Sequence, residues 1–225
     1  MTQQAKSTRS INVTEILREQ LLRGDFPPNT RLQETALAER MQVSRTPIRE
    51  SLRVLSKDGL LDYAPNRGYS VRPFSLDDIV AAFRVRSVLE GLGCRLIAER
   101  GMSDELQHRL QSVLALGEDL LQSGQLEKGE YEEWRQMNKE FHLAILMETH
   151  NELLIRFANA SRNIPIVFNG SFKWYTVRAF QRAQDHHQAI FSAMLNQQPD
   201  RADFMMQEHV MHAADILKQN YEEHQ

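Results

Sequence analysis

Residues 33–57, Gln-Glu-Thr-Ala-Leu-Ala-Glu-Arg-Met-Gln-Val-Ser-Arg-Thr-Pro-Ile-Arg-Glu-Ser-Leu-Arg-Val-Leu-Ser-Lys, read as two short helices across a tight turn. Ala36, Leu37 and Met41 give the first helix an apolar face, and Val43 after the turn packs the pair together. Ser44 or Thr46 can accept a backbone N–H at the start of the second helix. Pro47 suits its first turn, where a missing N–H leaves nothing unsatisfied. Ile48, Leu52 and Leu55 fall at i, i+4 and i+7 and face inward, while Arg45, Arg49 and Arg53 follow one another on a different face. This is the pattern of a helix-turn-helix, and its expected partner is double-stranded DNA. Arginine near the start of such a helix is pre-arranged for bidentate contact with guanine in the major groove, so Arg45 and Arg49 are candidate base readers, with Ser44 and Thr46 beside them. The plainer reading of an isolated Arg-x-x-x-Arg pair is a solvated basic face.

Gly59-Leu60-Leu61-Asp62-Tyr63-Ala64, then Pro65-Asn66-Arg67-Gly68 and Tyr69-Ser70-Val71, read as two short strands around a turn, which is a wing. Gly68 supplies the positive φ the turn needs, and Arg67 at the tip can enter a minor groove or lie on a phosphate. Arg31 and Thr35 are further candidates for contacts to the DNA backbone.

The 225-residue chain carries a net charge of −3, unevenly spread. Residues 1–73 hold twelve Lys and Arg against eight Asp and Glu, whereas the remainder holds fifteen against twenty-two. The basic end suits phosphate and the acidic end does not. A balance this modest leaves affinity to the docking of two copies, so a homodimer on two half-sites is expected. Hydrophobic residues make up 41%, enough for the cores of two domains. No run of about 18 apolar residues occurs, and the polar start Met1 to Ser10 is neither a signal peptide nor an amphipathic anchor. The expected location is the cytoplasm, away from membranes. Cys94, the single cysteine, sits in an apolar helical run and is expected to be a buried structural thiol.

From about Asp77 the chain reads as helix after helix, over 76–99, 103–122, 127–148, 151–168, 172–196 and 199–221, with Pro165 expected to kink or shorten the fourth. Ser75 suits an N-cap, with Asp77 and Asp78 in the turn that follows. The expected fold is mainly α: an N-terminal winged helix-turn-helix with a small β-wing (1–73), a linker (74–78) and a C-terminal all-α antiparallel helical bundle for ligand binding and dimerisation (79–222).

Over nearly its whole length the chain resembles GntR-type regulators of the FadR subfamily. The resemblance is carried by Gly24-Asp25-Phe26-Pro27-Pro28-Asn29-Thr30-Arg31-Leu32, Leu37-Ala38-Glu39, Val43-Ser44-Arg45-Thr46-Pro47-Ile48-Arg49-Glu50, Asp58-Gly59-Leu60 and Asn66-Arg67-Gly68-Tyr69. Asn29 stands where the family usually has Gly, and Asn tolerates the left-handed turn. The resemblance implies DNA contacts at Thr35, Arg45, Arg49 and the Arg67-Gly68 tip.

In the bundle the informative residues are histidines, eight in the chain. Asn138 and His142 lie at i and i+4 on one helix, so their side chains can converge, while His187 and His209 occupy the last two helices among apolar neighbours. Facing helices are how bundles build interior metal sites; three imidazoles and one amide suit Zn²⁺, or Ni²⁺ and Mn²⁺ with water. On spacing alone, separate core or surface histidines are the commoner outcome. The FadR resemblance implies a shared divalent metal beneath a ligand pocket, with Asn138 where Asp is commonest, a substitution that removes one negative charge and weakens the site. His186 points about 100° away from His187 and is expected solvated or packed; His212 is a candidate pocket residue.

A metal with open positions can activate water or anchor a ligand carboxylate. No carboxylate is spaced as a metal-adjacent base, because Glu140 and Glu208 face elsewhere, so anchoring is expected and an enzyme is not. The expected effector is a small carboxylate. Arg86 is a candidate to recognise it, or else an i,i+4 ion pair with Glu90; Trp174 and Tyr175, with Phe168 and Phe172, are candidate ligand contacts, or else core or dimer seam. The whole reads as a ligand-responsive repressor binding an inverted repeat. Two rivals stand beside it: a metalloenzyme with an accessory DNA-binding domain, and a DNA-binding dimer whose helical domain is only structural.

Overall fold

The structure, a computed structural model, describes residues 3–122, 124, 126, 128–162 and 176–223. Its elements are α1 (Gln3–Leu22), β1 (Arg31–Leu32), α2 (Glu34–Met41), α3 (Arg45–Lys57), β2 (Leu61–Ala64), β3 (Gly68–Val71), α4 (Leu76–Arg100), α5 (Asp104–Leu121), α6 (Lys128–Glu148), α7 (Glu152–Ser161), α8 (Val177–Leu195) and α9 (Pro199–Glu223). They fall into two compact units, one containing the residues up to Ile79 and the other beginning at Val80.

In the first unit Ile48, Leu52 and Leu55 of α3 are fully buried, as their spacing requires. They pack in one core with Leu37 and Ala38 of α2, with Leu60, Leu61 and Val71, and with Val13, Leu17 and Leu21 of α1. Helix α1 was not anticipated from the sequence, although three apolar residues four apart give it a core-facing stripe. Its Thr14 hydroxyl donates to Ser51 Oγ of α3 at 2.8 Å, so two buried hydroxyls satisfy each other. Ala36, expected to face inward, is exposed; Ala38 takes the buried place beside Leu37. Gln42 turns the chain in a left-handed conformation (φ 54°), and Ser44 is the N-cap residue of α3 but makes no side-chain cap hydrogen bond.

The wing is a three-stranded antiparallel sheet in the order β1-β3-β2, with Tyr63 opposite Tyr69 and Arg31 opposite Ser70. Strands β2 and β3 lie where two short strands around a turn are expected; β1, two residues long, has too little length to display alternation. Gly68 (φ 78°) and Asn66 (φ 63°) carry the turn, and Asn29 (φ 65°) holds the left-handed position for which the family uses Gly.

The second unit is all helix among the described residues. Starts are set by side-chain caps: Ser103 Oγ accepts from Leu106 N, and Asn151 Oδ1 from Leu154 N, each at 3.1 Å. Upstream, Ser75 and Asp78 cap each other reciprocally, so α4 begins at Leu76, inside the stretch expected as a linker. Helix α5 packs against α6 and α8, and α8 against α9 across the short turn Asn196–Gln198, as antiparallel neighbours do. Helix α7 ends at Ser161, short of the expected 168, and α8 begins at Val177 behind its Thr176 cap rather than at 172. Pro165, Phe168, Phe172, Trp174 and Tyr175 lie outside the described residues. Cys94 is buried, and burial raises its thiol well above the usual range. Among the described residues no helix is long and apolar enough to cross a membrane.

Candidate nucleic-acid interface and metal centre

Helix α3 projects Arg45, Thr46, Arg49 and Arg53 outward, all exposed, with Ser44 at its N-cap. Arg31 on β1, Thr35 on α2 and Arg67 in the wing turn are exposed as well, and Gly68 opens β3. The side chains of Arg45 and Arg49 do not stand alone. Glu34, on the first turn of α2, receives Arg45 Nη2 at 3.2 Å and Arg49 at 2.9 and 3.1 Å through Nη2 and Nε. The hydrogen bond from Arg49 holds the Glu34 carboxyl below its usual range. A single carboxylate thus gathers the two candidate base readers, a residue that sequence reasoning missed.

In the second unit, His142 of α6, His187 of α8 and His209 of α9 are buried and point at one another. His209 Nε2 lies 3.2 Å from His142 Nε2 and 3.2 Å from His187 Nε2. Phe141, fully buried, stacks on the His187 ring at 4.2 Å and fixes its plane. Burial keeps all three imidazoles neutral, pushing His142 down to about 4 despite the opposing charge of Glu90, and His187 and His209 well below the usual value. Neutral imidazoles with convergent lone pairs are what a divalent cation needs. Zn–N bonds of about 2.0–2.1 Å at tetrahedral angles put ligand nitrogens roughly 3.3 Å apart, so the donor set fits such an ion.

The site has a carboxylate that the sequence did not reveal. Glu90 of α4, 1% exposed, places Oε2 2.5 Å from His142 Nδ1. Neither atom has a hydrogen bond of regular geometry among the described residues, and the polar contact each makes is this close ion pair. Its other oxygen accepts from Arg86 Nε at 2.6 Å and from Arg162 Nε and Nη2 at 2.9 and 2.7 Å. Burial works to raise the Glu90 pKa, and the guanidiniums of Arg162 and Arg86 overcome it, holding the carboxyl well below its usual range. Glu90 sits behind His142, on the side away from the convergent Nε2 atoms, so it is not placed as a metal-adjacent base. Arg86 takes the ion-pair alternative. Asn138 stands one turn before His142 and is half-buried. His186, half-buried, packs its ring 5.7 Å from both His209 and His212. Glu140 faces away, to Arg109 at 2.6 Å.

Family models match both units: residues 10–71 match the bacterial regulatory proteins of the gntR family, and residues 81–212 the FCD domain. The chain belongs to the GntR family. It is a DNA-binding transcription regulator of the GntR/FCD type, and the relatives it matches are regulators rather than enzymes. It is 28% identical over 207 residues to the HTH-type transcriptional regulator YdhC of Bacillus subtilis, covering 92% of this chain and 90% of the relative. It is 26% identical to the Nta operon transcriptional regulator of Aminobacter aminovorans (86% and 87% covered) and 25% identical to the transcriptional repressor GlaR of Escherichia coli (90% and 93%). In fold it is similar to Escherichia coli McbR/YncC, with a TM-score of 0.78 at 21% identity over 94% of this chain and 98% of that one.

Proposed function

We propose that this regulator is a homodimeric, ligand-responsive repressor of the cytoplasm that binds an inverted repeat and is released by a small carboxylate. Residues 1–73 read the operator. Arg45 and Arg49 contact base edges, Ser44, Thr46, Thr35 and Arg31 the flanking backbone, and Arg67 of the Arg67-Gly68 tip a phosphate beside the neighbouring groove. Residues 79–222 dimerise and hold the effector. The observation that carries the effector reading is the convergence of three buried imidazoles, whose ligand atoms lie within 4.8 Å of one another, with His209 Nε2 3.2 Å from the Nε2 of each of the other two. His142, His187 and His209 would hold a divalent metal, zinc by donor preference with nickel or manganese as substitutes, and Asn138 would add an amide oxygen. Bound there, the cation supplies a Lewis-acidic anchor for a carboxylate. His212 is assigned to the pocket wall, Trp174 and Tyr175 stay candidate ligand contacts on sequence alone, and Arg86 contributes positive charge that favours an anion. Effector binding shifts the relative placement of the two DNA-reading heads, and half-site spacing converts a small shift into lost affinity. Repression is supported by the relative named a repressor, GlaR.

Elemental analysis of protein prepared without chelators tests this, comparing wild type with His142→Ala/His187→Ala. Near-stoichiometric metal in the wild type, lost in the variant, is expected. A mobility-shift titration with small carboxylates then tests release; no acid altering DNA affinity would leave the helical unit structural, and turnover of an acid would revive the metalloenzyme reading.

A further inference from the structure

Glu90 is a buried acid that DNA reading leaves without a task. It lies on α4, yet its contacts run to three helices: Arg86 on its own helix, Arg162 immediately after α7 and His142 on α6. The two oxygens are used differently. Oε1 is saturated by guanidinium donors, and Oε2 is left to His142 Nδ1 at 2.5 Å. Arginine cannot give up its proton in a protein, so two guanidiniums on one oxygen keep the carboxylate ionised and able only to accept. A neutral imidazole beside it must then carry its proton on Nδ1, which leaves the lone pair on Nε2. Nε2 is the atom that faces His209 Nε2 at 3.2 Å.

We infer that Glu90 is a positioning residue for the metal centre. It fixes the tautomer and ring orientation of His142 so that Nε2 is presented, unprotonated, to the ion, while Arg86 and Arg162 hold the carboxylate in place from behind. This rests on the metal reading above and goes beyond it, since it assigns a role to a group that would not itself coordinate the ion. His187 and His209 show the contrast: among the described residues no carboxylate lies in ion-pair contact with either ring, as Glu90 does with His142. His142 is the ligand whose form is determined before an ion arrives.

The test has two arms on the full-length protein. The first needs no substitution at Glu90. Long-range ¹H–¹⁵N correlation spectra of chelator-treated wild type, with His142→Gln to assign the ring, should show His142 with its proton on Nδ1. A proton on Nε2 would overturn the inference. The second arm measures zinc affinity by competition with a chromophoric chelator. In Glu90→Gln the arginines retain the amide oxygen and the NH₂ group turns to His142 Nδ1, which shifts the ring proton to Nε2. Zinc affinity should fall 10- to 100-fold, the range typical for lost outer-sphere partners of a ligating histidine. Zinc bound equally by wild type and a folded Glu90→Gln overturns the inference alone, whereas wild type that takes up no zinc overturns the metal reading together with it. Should Glu90→Gln fail to fold, the tautomer measurement still decides.

Discussion

Glu34 on α2 and Arg49 on α3 form a two-pronged ion pair, with Arg49 Nη2 and Nε at 2.9 and 3.1 Å from the carboxylate, on the surface proposed to read DNA. An acid among phosphate-seeking arginines costs electrostatic affinity, but it holds two long side chains in one arrangement. Ordering such a side chain costs roughly 0.5–1.5 kcal/mol at an interface. Replacing Glu34 by Gln should therefore strengthen binding to random duplex while weakening discrimination for the operator by roughly 2- to 10-fold per arginine released. Fluorescence anisotropy on operator and scrambled duplexes at matched salt measures the ratio, and an unchanged ratio removes Glu34 from this role.

Arg49 and Arg67 should fail differently. Loss of a bidentate base contact costs roughly 1–3 kcal/mol and relaxes preference at one base pair, whereas loss of a phosphate contact weakens all sequences alike and lowers the salt slope by about one. Arg49→Ala is expected to do the first and Arg67→Ala the second. Binding to a panel of single-base operator variants across salt concentrations separates them; matching profiles for the two variants would contradict the assignment.

Why α3 was legible and α1 was not is a matter of how much each segment encodes locally. Helix α3 has three buried leucine-type residues in register, a proline in its first turn and arginines opposite, so periodicity and chemistry agree. Helix α1 offers three apolar residues within a polar stretch, and only the core they enter identifies them. The histidines were visible because helical spacing puts Asn138 and His142 on one face, and resemblance joined them to His187 and His209. Glu90 was not, because its partners arrive from far along the chain, Arg162 being 72 residues on, and a buried acid has meaning only once they are assembled. Local rules report faces; they do not report which faces meet.

Helices α5 and α8 meet at Gly117, where a Cβ would overlap Gln184 Oε1 and stand 2.9 Å from Met137 Cε. Gln184 cannot easily retreat, since its Nε2 donates to Leu114 O at 2.8 Å in a buried setting. Gly117→Ala should destabilise the helical unit by about 1–3 kcal/mol, the usual cost of overpacking. Adding Gln184→Ala to Gly117→Ala removes the clash, so its cost should be less than the sum of the two single changes. Thermal denaturation of the four proteins completes this cycle, and simple additivity would refute the contact.

Acid should loosen the helical unit through its histidines. His142 is held at about 4 by burial, against 6.5 for an exposed imidazole, and His187 and His209 are pushed well below 6.5 in the same way. As pH falls from about 6.5 towards 4, the unfolded chain takes up protons at these positions while the folded chain refuses them. Stability is thus fully present above the unfolded value and is lost through that window, His142 alone contributing on the order of 3 kcal/mol. Below the usual carboxylate value of 4.5 Glu90 adds to the loss, because it stays ionised in the folded state while its unfolded counterpart is protonated. Zinc, which needs deprotonated imidazoles, should raise stability at pH 7 and give progressively less protection as protons compete for them. Both tryptophans, Trp134 and Trp174, lie beyond residue 79, so their fluorescence in urea follows this part of the chain. The unfolding midpoint of zinc-free wild type should fall steadily between pH 7 and 4, and His142→Ala/His187→Ala should flatten that slope. Equal slopes in the two proteins would mean that the buried imidazoles are not what acid attacks.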